Sequence, residues 1–360
     1  MDARRSAAIP RGRTLPSILL LVLVAVLAAC GSGAASPSAA VTASVTASPT
    51  TNVIESPSPV AAFPVTLTDD EGTNVTIPAE PDQIVTLTNA ATETVFALGL
   101  GDRVVGKVED FSVYPPAAAD VPDVAKFGSV DVEQIVAAGT DLVIAGGSNF
   151  NPPESIARLR QLGIPTVVIF AEDMPGALAD IALMGTAVGR PEQAAAIQGD
   201  IQEAIDEVGA ATAGLDKPRV FYELDATNGF FGPAPDYFGT EMITIAGGDP
   251  LTSGTDGVYQ IEPEKILEFD PQVILLGDAA YGVTPEQVAA RPGWDVLTAV
   301  KDGAIRPIDD VIVTRPGPRL GEGLRALALA IHPDLVLPGA SASPAASAPP
   351  APSAAASAAP

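Results

Sequence analysis

Two stretches of this chain lie over one another without a gap: VEQIVAAGTDLVIAG, residues 132–146, and PEKILEFDPQVILLG, residues 263–277. Glu133 meets Glu264, Ile135 meets Ile266, Gly146 meets Gly277, and Leu142–Val143–Ile144 meets Val273–Ile274–Leu275. A second pair, ATETVFALG at 91–99 and GTEMITIAG at 239–247, repeats in the same order and aligns Thr92–Glu93 with Thr240–Glu241. Any two βα units share some rhythm, but two ungapped matches in one order point to a doubled body. Aliphatic runs alternating with helical patterns mark a mostly parallel sheet covered on both faces. Strands are expected at 84–87, 103–106, 141–145 and 165–169, then at 219–224, 272–276 and 304–308, with helices at 91–98, 132–138 and 155–162. The fold class is therefore α/β, with two Rossmann-like lobes built on mostly parallel central sheets.

The segment between the lobes, 171–217, is not written as a hinge. Ala196, Ile197, Ile201, Ala204, Ile205 and Val208 fall near a 3.6-residue period, Pro191 stands at a first helical position and Gly214 beyond the end. A helix of about 23 residues would be roughly 35 Å long. The spacing thus predicts a single long rigid helix joining an N-terminal lobe at 63–170 to a C-terminal lobe at 218–338.

Both ends of the chain stand outside this body. Arg4, Arg5, Arg11 and Arg13 precede an apolar run from Leu15 to Ala29, shorter than the ~20 residues that span a bilayer comfortably. Residues 1–29 read as a signal peptide, and LAAC, ending at the one cysteine, Cys30, looks like a bacterial lipobox whose cysteine is acylated. Residues 30–62 and 339–360 are rich in Ala, Ser, Thr and Pro, too poor in apolar area to offset chain ordering, so a tether and a tail are expected. The chain is then exported and held by lipid to the outer face of the cell membrane or in a periplasm. A net charge of −25 argues against nucleic acid as a partner, since phosphate recognition needs clustered Lys and Arg. With one cysteine no disulfide forms within the chain.

PDQIVTLTNAATETVFALGLGDRVVGKVEDFSVYPPAA, KFGSVDVEQIVAAGTDLVIAG and, in the second half, YQIEPEKILEFDPQVILLGD and TRPGPRLGEGLRALALAIHP resemble the substrate-binding proteins of bacterial metal-chelate ABC importers, the ferric-siderophore, haem and cobalamin group. The resemblance covers nearly all of 63–338 and implies the class III periplasmic-binding fold, a permease dimer with its ATPase as partner, and no enzymatic activity. It also implies that Glu133 and Glu264, one on the tip of each lobe, dock onto arginines of two permease subunits. A first-turn carboxylate also complements its own helix dipole, a role worth about 0.3–1 kcal/mol, and the two roles coexist.

A ligand between the lobes would meet the carboxyl ends of the strands. The aromatics expected there are Tyr114 and Phe127, which match corrinoid-contacting positions of the resembled family, and Phe231, Tyr237, Phe238 and Tyr259 from the second lobe. Asn89 and Thr92 stand at a helix N-terminus, where free N–H groups favour an oxygen ligand. Arg315 and Arg319 frame TRPGPR, and Arg315 in particular is expected at the ligand; structural pairing with Asp310 or Glu322 is the alternative.

A bare-metal site is disfavoured because the chain has one histidine, His332, near the end of the last helical pattern. The same count removes Ser–His–Asp, Cys–His and most zinc catalysis, so no catalytic residue and no cofactor is assigned. A ligand that brings its own chelate, a ferric siderophore or a corrinoid, is the better expectation. Haem asks for an axial His or Tyr and ranks below them unless Tyr114 or Tyr237 serves. Two other readings stand behind import: a ligand-sensing surface lipoprotein without a transporter, and an acid/base carboxylate hydrolase.

Overall fold

The computed structural model describes residues 63–148 and 150–337. The expected signal peptide, Cys30, and the expected tether and tail lie outside the described residues. The chain opens with a hairpin, β1 (Val65–Thr68) and β2 (Asn74–Ile77). It continues through β3 (Ile84–Thr86), α1 (Asn89–Ala97), β4 (Val104–Val108), β5 (Asp123–Lys126), β6 (Ser129–Val130), α2 (Val132–Ala137), β7 (Leu142–Gly146), α3 (Pro153–Gln161) and β8 (Thr166–Ile169). Strands β3 to β8 form a six-stranded sheet in the order β6-β5-β4-β3-β7-β8, parallel throughout except where β6 pairs antiparallel with β5. Val143, Ile144 and Ala145 of β7 are fully buried, as a strand covered on both faces requires.

Two helices follow, α4 (Met174–Ala187) and α5 (Pro191–Thr212). The second half runs β9 (Arg219–Glu223), β10 (Phe230–Phe231), α6 (Phe238–Ile245), β11 (Asp249–Pro250), β12 (Gln260–Ile261), α7 (Pro263–Phe269), β13 (Val273–Leu276), α8 (Pro285–Ala289), α9 (Thr298–Lys301), β14 (Ile305–Pro307), α10 (Asp310–Thr314) and α11 (Leu320–Ile331). Its parallel sheet has the order β11-β9-β13-β14, and β10 and β12 form a separate two-residue antiparallel pair. The duplication read in the sequence is thus a duplication of structure. In each half a two-residue antiparallel strand leads into a short helix, α2 or α7, and then into a central parallel strand, β7 or β13.

Helix α5 begins at Pro191 and has 22 residues, about 33 Å at 1.5 Å per residue. Gly214 adopts φ +82° just beyond it, a conformation an L side chain resists. Its inner face carries Ala194, Ile201, Ala204 and Val208; Ala196, expected there, is exposed, because the face begins two residues earlier. The connection also holds a second helix, α4, packed against α1, α5 and α6. One contiguous hydrophobic core runs from Ile84, Ile144 and Met184 through Ile201 and Val208 to Val220, Met242, Leu324 and Leu327. Both sheets belong to one compact unit, without a core-free neck between them.

Candidate functional site

In a doubly wound sheet the ligand crevice opens where neighbouring strands send their connections in opposite directions. In the first sheet that point lies between β3, which continues to β4, and β7, which continues to β8. In the second it lies between β9 and β13. Thr88 and Asn89 follow β3. Thr88 Oγ1 accepts the Ala91 N–H at 3.1 Å and caps α1. Asn151, buried after β7, holds the point together: its Oδ1 accepts from Gly146 N at 2.7 Å, and its Nδ2 donates to the Leu87 carbonyl at 3.3 Å. A side chain at Gly146 would lie 2.7 Å from Thr88 Cγ2, so only glycine permits this approach.

Of the residues expected here, Asn89 is half-buried and its Oδ1 has no hydrogen-bond partner among the described residues. Thr92 is not available to a ligand. It is buried, and its hydroxyl pairs with Thr86 Oγ1 at 2.8 Å and the Thr88 carbonyl at 3.1 Å, satisfying the helix interior. The aromatics form a row on the carboxyl ends of the strands. Phe111 after β4 is 88% exposed and Phe127, on the turn between β5 and β6, is 79% exposed. Phe127 stands edge-on to Phe150 at 6.4 Å, and Phe150 lies 6.3 Å from Phe170, after β8. Tyr114 is also exposed. Phe111, Phe150 and Phe170 were not singled out from the sequence, although each follows a strand that the aliphatic pattern had located.

In the second half, Tyr259 is exposed and packs 5.7 Å from half-buried Tyr237. Phe231 is half-buried in β10. Phe238 is a correction: it opens α6 and turns into the core, 4% exposed. Tyr281, after β13, is exposed and had no signal beyond its position. The crevice point itself is acidic. Buried Glu223, at the end of β9, accepts from both terminal nitrogens of Arg291 at 2.5 and 2.7 Å, and that guanidinium lies over Phe230 and Trp294. Asp278, at the end of β13, is buried; burial first, and then hydrogen bonding and repulsion from Glu223, push its carboxyl up to about 7. Its Oδ1, like that of Asn89, has no hydrogen-bond partner among the described residues. Tyr222 donates to Asp310 at 2.5 Å, and burial keeps its phenol well above the usual range.

Arg315 is committed elsewhere than at an open crevice. Its terminal nitrogens donate to Glu93 Oε1 at 2.8 Å and to Asp110 at 2.7 and 3.0 Å. Its partners come from the opposite lobe, not from Asp310 or Glu322 as the alternative reading had it. Arg319 donates twice to Glu93 at 2.8 Å and stacks 3.9 Å from the centre of the Tyr114 ring. Asp110 and Tyr114 sit on the loop that carries Phe111. Two arginines of the second half therefore hold an aromatic loop of the first. Glu241, which aligns with Glu93 in the repeat, also reaches across, accepting from Met174 N at the start of α4 at 2.9 Å.

The periplasmic binding protein family matches residues 84–311 of this chain. That span covers both sheets and both crevice points. The chain belongs to the periplasmic binding protein family. An ABC transporter substrate-binding lipoprotein of Bacillus subtilis, YvrC, is 32% identical to it over 278 residues, covering 76% of this chain and 87% of that protein. A cobalamin-binding protein of Halobacterium salinarum is 30% identical, covering 75% of each. The crystal structure of the periplasmic vitamin B12 binding protein BtuF of Vibrio cholerae aligns with a TM-score of 0.61 at 25% identity, covering 71% of this chain and 98% of that one.

In this periplasmic binding protein Glu133 and Glu264 occupy equivalent places in the repeat. Glu133 lies in the first turn of α2 and Glu264 in the first turn of α7, both exposed. Each helix is anchored by one fully buried residue, Ile135 or Ile266. His332 caps the end of α11 with Nε2 3.2 Å from the Gly247 carbonyl, away from the strand ends. Among the described residues no group of three or more His, Cys, Asp or Glu is placed to hold a metal ion, and no helix is long and apolar enough to cross a membrane.

Proposed function

We propose that this chain is the extracytoplasmic substrate-binding component of an ABC importer and that it carries a corrinoid between its lobes. The observation that carries the ligand reading is the exposed aromatic row of Phe111, Tyr114, Phe127 and Phe150 on the carboxyl ends of the first sheet. Exposed rings in one place suit a broad ligand built around a flat ring system. The names of the Halobacterium and Vibrio relatives favour the same chemistry. A ferric siderophore ranks second. Haem ranks third, because His332 lies at the far end of α11 and an axial ligand would have to come from a tyrosine such as Tyr237 or Tyr114, the latter stacked under Arg319.

In this reading Asn89, Phe127, Tyr259 and the exposed Tyr281 face the ligand, whereas Arg315 acts through the loop it holds. Glu133 and Glu264 dock on a two-fold permease that works with its ATPase. The lobes are assigned to 63–170 and 218–338, and an acylated Cys30 ties the protein to the membrane surface. The test is a calorimetric titration with cyanocobalamin, haemin and ferric siderophores. Cyanocobalamin binding at micromolar concentration or below, with the others weaker, is expected. Tight binding of a siderophore with no cyanocobalamin response would overturn the ligand assignment.

A further inference from the structure

We infer that each lobe tip docks through a two-part footprint, a pair of carboxylates and an exposed aliphatic side chain one helical turn on, and that the membrane partner presents two sites in which a basic group is flanked by an apolar pocket. This rests on the docking role proposed for Glu133 and Glu264 and extends it.

The repeat carries more than a glutamate. Asp131 aligns with Glu262, Glu133 with Glu264 and Val136 with Leu267. All six are exposed, Val136 at 45% and Leu267 at 38%, while the residue between, Ile135 or Ile266, is fully buried. Positions i and i+3 of a helix are neighbours on its surface, so each aliphatic lies beside its glutamate. A single exposed aliphatic means nothing by itself. Here one recurs at the matched position of both tips, on helices so short that one isoleucine suffices to anchor them.

The charges are not neutralised, although Asp131 also caps α2, its Oδ1 accepting from Gln134 N at 2.9 Å. None of the ion pairs among the described residues uses Asp131, Glu133, Glu262 or Glu264. The one basic residue of the two helices, Lys265, is turned to the Ser253 carbonyl at 2.8 Å and does not neutralise its neighbour. A second copy of this chain is a poor occupant, because facing tips would set like carboxylates together on a body of charge −25. A two-fold partner with basic groups suits both tips at once, and an aliphatic contact beside each ion pair excludes water from it.

The experiment measures binding to the cognate permease–ATPase complex in nanodiscs, at low and high salt, for the wild type, V136S/L267S, E133K/E264K and the exchanged pair V136L/L267V. V136S/L267S is expected to weaken binding about 25-fold, about fivefold for each helix, since distant contacts add. That loss should be the same at both salt levels, because an apolar contact is not screened, whereas the glutamates' contribution shrinks at high salt. V136L/L267V should bind like the wild type, and melting temperatures should not change. If V136S/L267S binds like the wild type while E133K/E264K fails, the apolar half of the footprint is wrong and the docking role stands. If E133K/E264K also binds normally, the docking role falls and this inference with it. Sedimentation showing a dimer that V136S/L267S dissolves would assign the face to a second copy and overturn the inference.

Discussion

Arg319 donates two hydrogen bonds of 2.8 Å to Glu93, a residue 226 positions earlier and buried in the opposite lobe. Glu93 also accepts from Arg315, so one carboxylate serves two guanidinium groups across the halves. Removing it strips Arg319 of its only ion-pair partner among the described residues, whereas removing Arg319 leaves Glu93 paired with Arg315. Glu93→Gln should therefore cost about 3 kcal/mol, the range for breaking a buried pair. Arg319→Met should cost clearly less. Urea unfolding of the two variants checks the order, and an equal or reversed loss would contradict it.

Phe127 offers the opposite case, a large side chain with little structural duty. It is 79% exposed and touches Phe150 by its edge. Phe127→Ala should change unfolding stability by less than about 0.5 kcal/mol. If the ring is a wall of the ligand site, cyanocobalamin affinity should fall about tenfold, as for a lost aromatic contact. Affinity unchanged in calorimetry would remove this residue from the site.

The difference between these residues marks what could be read from the sequence. Aliphatic runs located the central strands because a strand buried on both faces reads as a near-continuous apolar run, and Pro191 and Gly214 bounded α5 because one pre-sets helical φ and the other permits positive φ. The doubling of α2 and α7 was visible as aligned letters. Partners were not. Arg315 meets Asp110 across 205 residues and Glu93 across 222, and no local pattern encodes which carboxylate a guanidinium will find. Phe238 and Phe111 also look alike as letters, yet one turns into the core and the other into solvent, since only the packing of α6 against α11 decides the first. The two-residue strands β6 and β12 are too short for any periodicity.

The single core through α4, α5 and α11 limits how the lobes move. Opening them by a large angle would expose Ile201, Val208 and Leu324, at roughly 25 cal/mol per Å² of apolar surface. Cyanocobalamin should therefore close the cleft by a small rotation only. Small-angle scattering should show a change in radius of gyration of less than about 1 Å, small beside the roughly 20 Å expected for a body this size. A larger drop would require a hinge that α5 does not provide.

Asp278 should make the affinity for the proposed ligand depend on pH. Burial and Glu223 bring its carboxyl to about 7, so near neutrality it carries a proton part of the time. A ligand of no net charge lying over the crevice point would remove water from it and favour the protonated form further. By linkage, cyanocobalamin then binds better to the protonated protein. Affinity should be level on the acid side, fall as pH rises through about 7, and lose this dependence in Asp278→Asn. A profile as steep in the variant as in the wild type would place the ligand away from this carboxyl.

Asp180 works in the same direction on stability, away from the ligand. It lies buried on α4, hydrogen-bonded to Asp70, and burial first, then Asp70, push its carboxyl up to about 9. Asp70 also accepts from Phe170 N at 2.5 Å, which fixes it beside Asp180. Because the folded-state value lies above that of the unfolded chain, the stability this group contributes is complete at acid pH below about 4. It is lost progressively as pH rises through about 9. Asp180→Asn keeps a donor toward Asp70 and has no proton to lose. Its melting temperature should match the wild type at acid pH and exceed it by several degrees in mildly alkaline buffer, with the gap widening as pH rises. A gap that is constant with pH would mean that Asp180 is already ionised in the folded protein and that Asp70 does not hold its proton.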